Sequence, residues 1–166
     1  MQTSTEAKPK KLTAPDTQIR SMWPTDLRQV LLIAEKCFGA EAWGKEDFTI
    51  CFPTRTNYFG YVAEMAGRLV GFAVSRIINK YTVKIENIGV LPDFRLFGVG
   101  RLLVERVERS NTQPKRLRTL VRESNLGAQL FFQAIGWRAT GMDPRPWSGI
   151  EEDGILFFKR VLRGRS

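Results

Sequence analysis

The pattern of apolar positions changes character along the chain. Between Asp26 and Phe38 the apolar residues recur at helical spacing, with Thr25 or Asp26 as a candidate N-cap, which predicts an amphipathic first helix. A short extended segment over 18–20 precedes this helix. A short second helix is predicted over 43–52.

Strand-like runs follow the second helix. The first two, 58–65 and 69–77, flank the hairpin signal Ala66-Gly67-Arg68, and a third run covers 83–91. Pro92 ends the third run, because proline cannot donate to a strand ladder. We therefore expect three sequential strands that form a meander.

The second half of the chain alternates helices and strands. The predicted elements are a helix over 99–109, a strand over 116–121, a helix over 125–135 that Gly136 ends, and a last strand pair around 137–140 and 154–159. A meander followed by two βα units predicts the α/β class with a mixed sheet.

The length of 166 residues and the hydrophobic fraction of 43% predict one globular domain. We expect a flexible tail over 1–17, a folded domain over 18–162 and a basic fringe over 163–166. No internal repeat is present, which excludes solenoids and propellers.

The absence of histidine removes several kinds of chemistry at once. Ser-His-Asp and Cys-His catalysis and His-ligated metals are excluded, so we expect no metal, and any chemistry must use carboxylates, water or backbone. Cys37 and Cys51 are the only cysteines, and we expect both to be free thiols in a reducing compartment. With no apolar run long enough for a signal peptide or a membrane span, the expected location is the cytoplasm.

The net charge of +9 points to anionic partners such as a nucleotide-like cofactor, a ribonucleoprotein or nucleic acid. The segment KRLRTLVR, residues 115–122, is a candidate for RNA phosphates. Alternating arginines are equally typical of a solvated strand face, and charge alone does not choose between these interpretations.

The segment from 85 to 103 places Gly98 and Gly100 where a loop turns into a helix. A helix N-terminus has unpaired N–H groups, and glycine lets the backbone approach a phosphate closely. Arg95 and Arg101 supply positive charge. The segment is neither a P-loop, because no Gly-Lys-Ser/Thr follows, nor a dinucleotide fingerprint, because the third glycine is missing. On its own, the glycine pair is equally consistent with a tight turn.

The same segment resembles the pyrophosphate-binding motif Q/R-x-x-G-x-G/A of the GNAT superfamily of N-acyltransferases, read here as Arg95-Leu96-Phe97-Gly98-Val99-Gly100. A second stretch, ESNLGAQLFFQAIGW over 123–137, resembles the second cofactor segment of the family. The resemblance covers about 18–160. It implies the α/β GNAT fold, with a mixed central sheet of about six to seven strands, splayed around Val90 and Val121 and flanked by about four helices.

The resemblance also implies acetyl-CoA as co-substrate. In this interpretation the backbone N–H groups of 97–101 hold the pyrophosphate, the N–H of Val90 polarises the thioester carbonyl, and Asn125 contacts the pantetheine arm or a phosphate. The full set of implied cofactor-binding residues is Val90, Arg95, Leu96, Phe97, Gly98, Val99, Gly100, Arg101, Asn125 and Phe132.

Within the superfamily, Ala42-Trp43, Asp47-Phe48, VRESN and FFQAIGW are similar to the ribosomal-protein alanine N-acetyltransferases. This implies that the acceptor is a protein or peptide N-terminus, with a ribosomal protein as a candidate partner. Trp43 is equally consistent with a core or hinge aromatic residue. The sequence indicates no membrane partner and leaves the oligomeric state open.

The chain departs from this branch at two catalytic positions. The acid, a tyrosine in the branch, falls on Phe132, and the glutamate base falls on Leu120. Glu86 is the leading candidate base, because alternation along its strand places it on the same face as Val90, four residues on. A solvated carboxylate paired with Lys84 is the competing interpretation.

Glu123 and Tyr81 are further candidates for the missing roles. The alternatives to an N-terminal acetyltransferase are a CoA-binding pseudoenzyme and an acetyltransferase of a small-molecule amine.

Overall fold

The computed structural model describes residues 16–52 and 56–162. In this part of the chain seven strands form one sheet in the order β1-β2-β3-β4-β5-β7-β6. The strands are β1 (Thr17–Ser21), β2 (Tyr58–Met65), β3 (Arg68–Asn79), β4 (Thr82–Val90), β5 (Arg116–Arg122), β6 (Arg138–Asp143) and β7 (Gly154–Arg160). The α-helices are α1 (Leu27–Phe38), α2 (Lys45–Thr49), α3 (Val99–Glu108) and α4 (Leu126–Ala134).

The sheet is mixed, as predicted. Strands β1 to β4 form an antiparallel meander, β4 and β5 are parallel, and β7 is antiparallel to both β5 and β6. The pairing between β4 and β5 covers only 82–85 with 116–119. Beyond Ile85 the two strands part, which confirms the expected splay.

Hydrophobic clusters lie on both sides of the sheet. Because successive residues of a strand face opposite ways, Ala73 and Phe72 of β3 mark the two faces. Ala73 packs in the cluster that contains Leu103 of α3, which we call the α3 face. Phe72 packs with Val30 of α1 and Phe48 of α2, which defines the α1 face. Helices therefore cover the sheet from both sides, with α1 and α2 over β2 and β3.

Asp26 ends a short turn before α1, and its carboxylate does not cap that helix. It accepts hydrogen bonds from the Trp23 N–H at 2.8 Å and from both terminal nitrogens of Arg20, at 2.7 and 2.9 Å. Asp26 is 6% exposed. The hydrogen bond from Arg20 holds the pKa of Asp26 below its ordinary value. Asp26 is thus the N-cap residue of α1, one of the two predicted candidates, but its carboxylate ties the turn before α1 to β1 and does not bond the N–H groups of the helix.

The second helix is shorter than the predicted 43–52. It covers Lys45–Thr49, because the backbone of Gly44 is extended and its N–H donates to Asp47 at 2.9 Å. Of the expected tail, Thr17 already belongs to β1; residues 1–15 and the basic fringe over 163–166 lie outside the described residues. In the described part of the chain no helix is long and apolar enough to cross a membrane.

Candidate functional site

The backbone of Val90 faces the gap between β4 and β5. Leu91 donates its N–H to the Val70 carbonyl at 2.8 Å, so the neighbouring pair, Val90 and Gly71, is a non-hydrogen-bonded pair of the antiparallel ladder. The N–H and C=O of Val90 therefore point away from β3. The carbonyl accepts from Arg95 Nε at 3.0 Å and Cys37 Sγ at 3.3 Å.

A helix N-terminus lies immediately after this gap. Gly98 precedes α3 with φ = 83°, a left-handed conformation that favours glycine. The first intrahelical bond runs from the Leu102 N–H to the Gly98 carbonyl at 3.0 Å. The N–H groups of 99–101 thus have no acceptor within the helix and can hold an anionic oxygen. Because β4 leads through a short loop into α3, these donors and Val90 belong to one continuous segment.

Gly100 has a packing role beside the expected approach to a phosphate, which stays a prediction. A Cβ at this position would lie 3.0 Å from both Cε2 and Cζ of Phe131, so the missing side chain lets the first turn of α3 pack against α4. Sequence reasoning assigned Gly100 to close phosphate approach and did not anticipate this contact, since Phe131 lies in a separate element.

Asn125 and Phe132 lie in α4 or at its start. Asn125 caps the helix, and its Oδ1 accepts from the Ala128 N–H at 3.0 Å. Phe132 is 2% exposed, with ring centroids 4.9 Å from Trp137 and 6.0 Å from Phe157. The contact of either residue with the pantetheine arm stays a prediction.

Glu86 occupies a bulge in β4. Val74 pairs with Asn87 and Ser75 with Ile85, so Glu86 has no partner in the register and the alternation of β4 is interrupted there. Val90 packs against the α3-face cluster, whereas Glu86 meets Arg76 and Lys84 on the α1 face. The expectation that Glu86 and Val90 share one face is therefore wrong.

The Glu86 carboxylate is held from two sides. Oε1 lies 2.7 Å from Arg76 Nε and Oε2 lies 2.8 Å from Lys84 Nζ, and the side chain is 14% exposed. The pairing with Lys84 that the competing interpretation expected is present, and Arg76 is added to it. This arrangement fixes the orientation of the carboxylate beside the splay.

The other residues considered for the acid and base roles do not lie together at one site. Leu120 lies on the α1 face of β5, near Gly154 of β7. A Cβ added to Gly154 would lie 3.1 Å from Leu120 Cδ2 and 3.1 Å from the Trp147 ring. Tyr81 precedes β4 at the end opposite Val90, about 25 Å away along the strand, so it cannot act at the splay. Glu123 is exposed at the end of β5.

Two loops meet at the end of β5, next to the splay. The guanidinium of Arg122 forms an ion pair with Glu41, in the loop between α1 and α2, and lies 5.7 Å from the centre of the Trp147 ring, in the loop between β6 and β7. Arg122 thus connects the two loops that border the α1 face of the splay. Its partners are distant in sequence, so the local pattern gives no signal for this role.

Both cysteines are free thiols. Burial raises the pKa of the Cys51 thiol to about 11. Burial also raises the pKa of Cys37, although the nearby Arg95 opposes that effect. In the part of the chain that the structure describes, no group of histidine, cysteine or acidic side chains could hold a metal ion.

A mixed sheet that splays between β4 and β5, with a glycine loop and a free helix N-terminus after β4, defines the class of acetyl-CoA-dependent N-acetyltransferases. The chain belongs to the Acetyltransferase (GNAT) family, whose model matches residues 27–137. The resemblance drawn from the two cofactor segments is confirmed.

Solved structures share this fold over almost their full length. The ribosomal-protein-S18-alanine N-acetyltransferase from Escherichia coli has a TM-score of 0.75 at 23% identity, over 90% of this chain and 96% of that chain. Ard1 from Thermoplasma volcanium has a TM-score of 0.75 at 25% identity, over 89% and 99%.

A third similar structure contains the co-substrate. A protein described as a streptothricin acetyltransferase, from Bacillus anthracis str. Ames and in complex with acetyl coenzyme A, has a TM-score of 0.69 at 18% identity, over 87% of this chain and 98% of that chain. No curated protein is significantly similar to the chain in sequence.

Proposed function

We propose that this enzyme transfers the acetyl group of acetyl-CoA to the α-amino group of a protein or peptide N-terminus. The observation that carries the proposal is the placement of Glu86 and Val90 on opposite faces of β4, at one splay. An amine can approach from the α1 face while the co-substrate lies against the α3 N-terminus. The similarity to the S18-alanine N-acetyltransferase supports the choice of acceptor.

The residues present suit acetyl-CoA, which supplies an activated acetyl thioester. The N–H groups of 97–101 and the exposed guanidinium of Arg101 would hold its pyrophosphate. The N–H of Val90 is directed into the gap. It would donate a hydrogen bond to the carbonyl oxygen of the acetyl thioester as negative charge develops on that oxygen.

Glu86 would accept a proton from the attacking ammonium group. Arg76 and Lys84 fix the orientation of its carboxylate at the splay, where it would lie within hydrogen-bond reach of an amine that approaches from the α1 face. Phe132 has no proton to donate, so the departing thiolate would take a proton from water. The two loops that Arg122 connects would border the acceptor.

The two free thiols support a cytoplasmic location.

A second candidate function is that of a CoA-binding pseudoenzyme. Phe132 sits among core aromatic rings, and Leu120 lies with Trp147 around Gly154, at the two positions where the related branch carries its acid and base. A domain with this site would bind the co-substrate without turnover and serve in regulation or assembly.

Calorimetric titration with acetyl-CoA, followed by mass spectrometry of a mixed N-terminal peptide pool, separates these functions. We expect binding and a gain of one acetyl group on a subset of peptides. Binding without transfer to peptides or to a parallel set of small-molecule amines would favour the pseudoenzyme, whereas transfer to small amines alone would replace the proposed acceptor. A lack of binding would overturn the cofactor site.

The variant Glu86→Gln tests the base. We expect kcat to fall by about 10²–10⁴-fold while the Kd for acetyl-CoA stays unchanged, because general bases contribute that range. Glu151→Gln, at an exposed position in the loop before β7, is the matched control and should retain full activity. Equal kcat for the two variants would exclude Glu86 as the base.

A further inference from the structure

The helices of the described residues leave part of the α1 face of the sheet uncovered. Along β5, Leu117, Thr119 and Val121 are buried on the α3 face, while Arg116 and Arg118 alternate with them and are exposed on the other side. Helices α1 and α2 pack over β2 and β3 and do not cover these arginines. The loop between β6 and β7 lies over the splay end of β5 and β7, so the open region lies over the other end of these strands and the start of β6.

The strand register places further arginines beside the first two. Arg118 pairs with Phe158 of β7, which in turn pairs with Arg138 of β6, so Phe158 lies between two arginines in the register. Arg116 pairs with Arg160 of β7. Residues in direct register project to the same face. We call the set of Arg116, Arg118, Arg138, Arg160 and Phe158 the basic sheet face.

The four arginines of this face have no acidic partners within the described residues, since none lies within 4 Å of a carboxylate there. All four are exposed. Other cations of the same sheet are paired, as Arg76 and Lys84 are with Glu86 and Lys159 is with Glu108. Like charges held this close repel one another, and an anionic ligand relieves that repulsion.

The basic sheet face continues into an open hollow of about 500 Å³ at the end of the sheet away from the splay. Tyr81, Lys115 and Val161 line the hollow together with Arg116 and Arg160. Tyr81 is 43% exposed, and Lys115 Nζ lies 4.8 Å from the centre of its ring. Tyr81 thus provides a second aromatic ring beside positively charged side chains, in the hollow that continues the basic sheet face.

We propose that the basic sheet face binds single-stranded RNA, with the arginines on phosphates and the rings of Phe158 and Tyr81 stacked on bases. Arginine suits phosphate through its planar fork of donors, and aromatic rings on an open, positively charged sheet provide stacking platforms for unpaired bases. A lipid surface fits less well, because membrane-binding faces project several large apolar side chains, whereas the exposed residues of the basic sheet face are its four arginines. This surface is separate from the acetyl-transfer site and goes beyond the proposed function.

Fluorescence anisotropy with a labelled single-stranded RNA oligonucleotide, measured over a range of salt concentrations without acetyl-CoA, tests the proposal. The slope of log K against log salt is negative, and each lost phosphate contact reduces its magnitude by about 0.7, so Arg118→Gln with Arg138→Gln should reduce the magnitude by about 1.4. Arg28→Gln with Arg109→Gln, an equal charge change at an exposed position of α1 and at the exposed residue that follows α3, is the matched control and should leave the slope unchanged.

A third variant separates stacking from charge. Phe158→Leu should weaken RNA binding by about tenfold with an unchanged salt slope, because stacking on one ring contributes about that factor. Acetylation of a short peptide should be the same for all these proteins, so failure here is distinguishable from failure of the proposed function.

Three results would overturn the proposal. The first is no RNA binding by the unaltered protein at about 50 mM salt, where non-specific binding is strong. The second is an equal loss in the control pair, which would assign binding to net charge rather than to this face. The third is sedimentation with phosphatidylserine vesicles but no RNA binding, which would assign the face to a membrane.

Discussion

Gly100 sets how closely α3 approaches α4. In Gly100→Ala the new methyl group would meet the Phe131 ring at 3.0 Å, and the ring must shift to admit it. Overpacking of this kind costs about 1–3 kcal/mol, and the better helix propensity of alanine offsets up to about 1 kcal/mol. We expect a net loss of about 1 kcal/mol in the free energy of unfolding, measured by urea denaturation.

Gly127→Ala provides the comparison for that substitution. Gly127 lies in the first turn of α4, and its nearest neighbour to an added Cβ is Asn125 Oδ1 at 3.8 Å. With space available, alanine should stabilise the protein by up to about 1 kcal/mol. A stabilising effect at Gly100 as well would show that the Phe131 contact is not tight.

Cys51 should react slowly with thiol reagents. With a pKa of about 11, roughly one thiol in a thousand is ionised at pH 8, and the thiolate is the reactive form. We expect the reaction of the folded protein with a disulfide reagent at pH 8 to be far slower than that of the urea-unfolded chain. Equal rates in the two states would contradict the burial of this thiol.

The sequence predicts residues whose role is set locally better than those set by distant partners. Gly98 was expected at a loop-to-helix turn, and its positive φ agrees with that expectation. The face of Glu86 was predicted wrongly, because one bulged residue reverses every later position on the strand. The contact of Gly100 with Phe131 joins separate elements, so no local pattern indicates it.

At the scale of elements, the N-terminus of α3 depends on one backbone conformation. Gly98→Ala would place an L-residue at φ = 83°, which costs about 1–2 kcal/mol and favours rotation of the peptide groups that follow. Because those N–H groups are the proposed pyrophosphate donors, we expect affinity for acetyl-CoA to fall by at least tenfold. Calorimetry measures this change.

Gly67→Ala carries the same kind of strain away from the site. Gly67 has φ = 73° in the turn between β2 and β3, with no atom within 4 Å of an added Cβ. It should lose similar stability and keep the Kd for acetyl-CoA unchanged. Equal losses of affinity in the two variants would assign the effect to general destabilisation.

The elements themselves are largely predictable, because amphipathic periodicity reports burial directly. The first helix was expected over 26–38 and forms over Leu27–Phe38, and the second strand-like run, expected over 69–77, forms as Arg68–Asn79. The last strand pair was located but β6 extends to Asp143, since its exposed residues carry no apolar alternation. Strand β7 lies between β5 and β6 in the sheet. The periodicity of apolar residues does not predict this order, because it carries no information on which strands pair.

At the scale of the whole molecule, Asp26 contributes to the dependence of stability on pH. Its pKa is lowered by Arg20 in the folded state, so its contribution is present above the unfolded pKa of about 4 and is lost as pH falls through the folded pKa. Asp26→Asn should lose about 2 kcal/mol at pH 7 and show a shallower fall in stability below about pH 4. Urea denaturation across pH 2–7 measures both effects.

Asp143→Asn, at an exposed position on the edge strand, should leave both the stability at pH 7 and the slope in acid unchanged. An unaltered acid slope in Asp26→Asn would indicate that other carboxylates govern acid unfolding.

The net charge of +9 indicated an anionic partner without locating it. Location follows from the register, which sets Arg118, Phe158 and Arg138 side by side although they come from three strands far apart in sequence. Composition gives the net charge of the whole chain, whereas the position of a charged surface depends on which strands pair in the sheet.

The bulge at Glu86 has a kinetic consequence. In the proposed arrangement the amine approaches from one side of β4 and the thioester lies on the other, so neither substrate blocks the entry of its partner and both can be bound before any bond changes. Initial rates measured against both concentrations should therefore give intersecting double-reciprocal lines, and the enzyme alone should not retain label from radioactive acetyl-CoA.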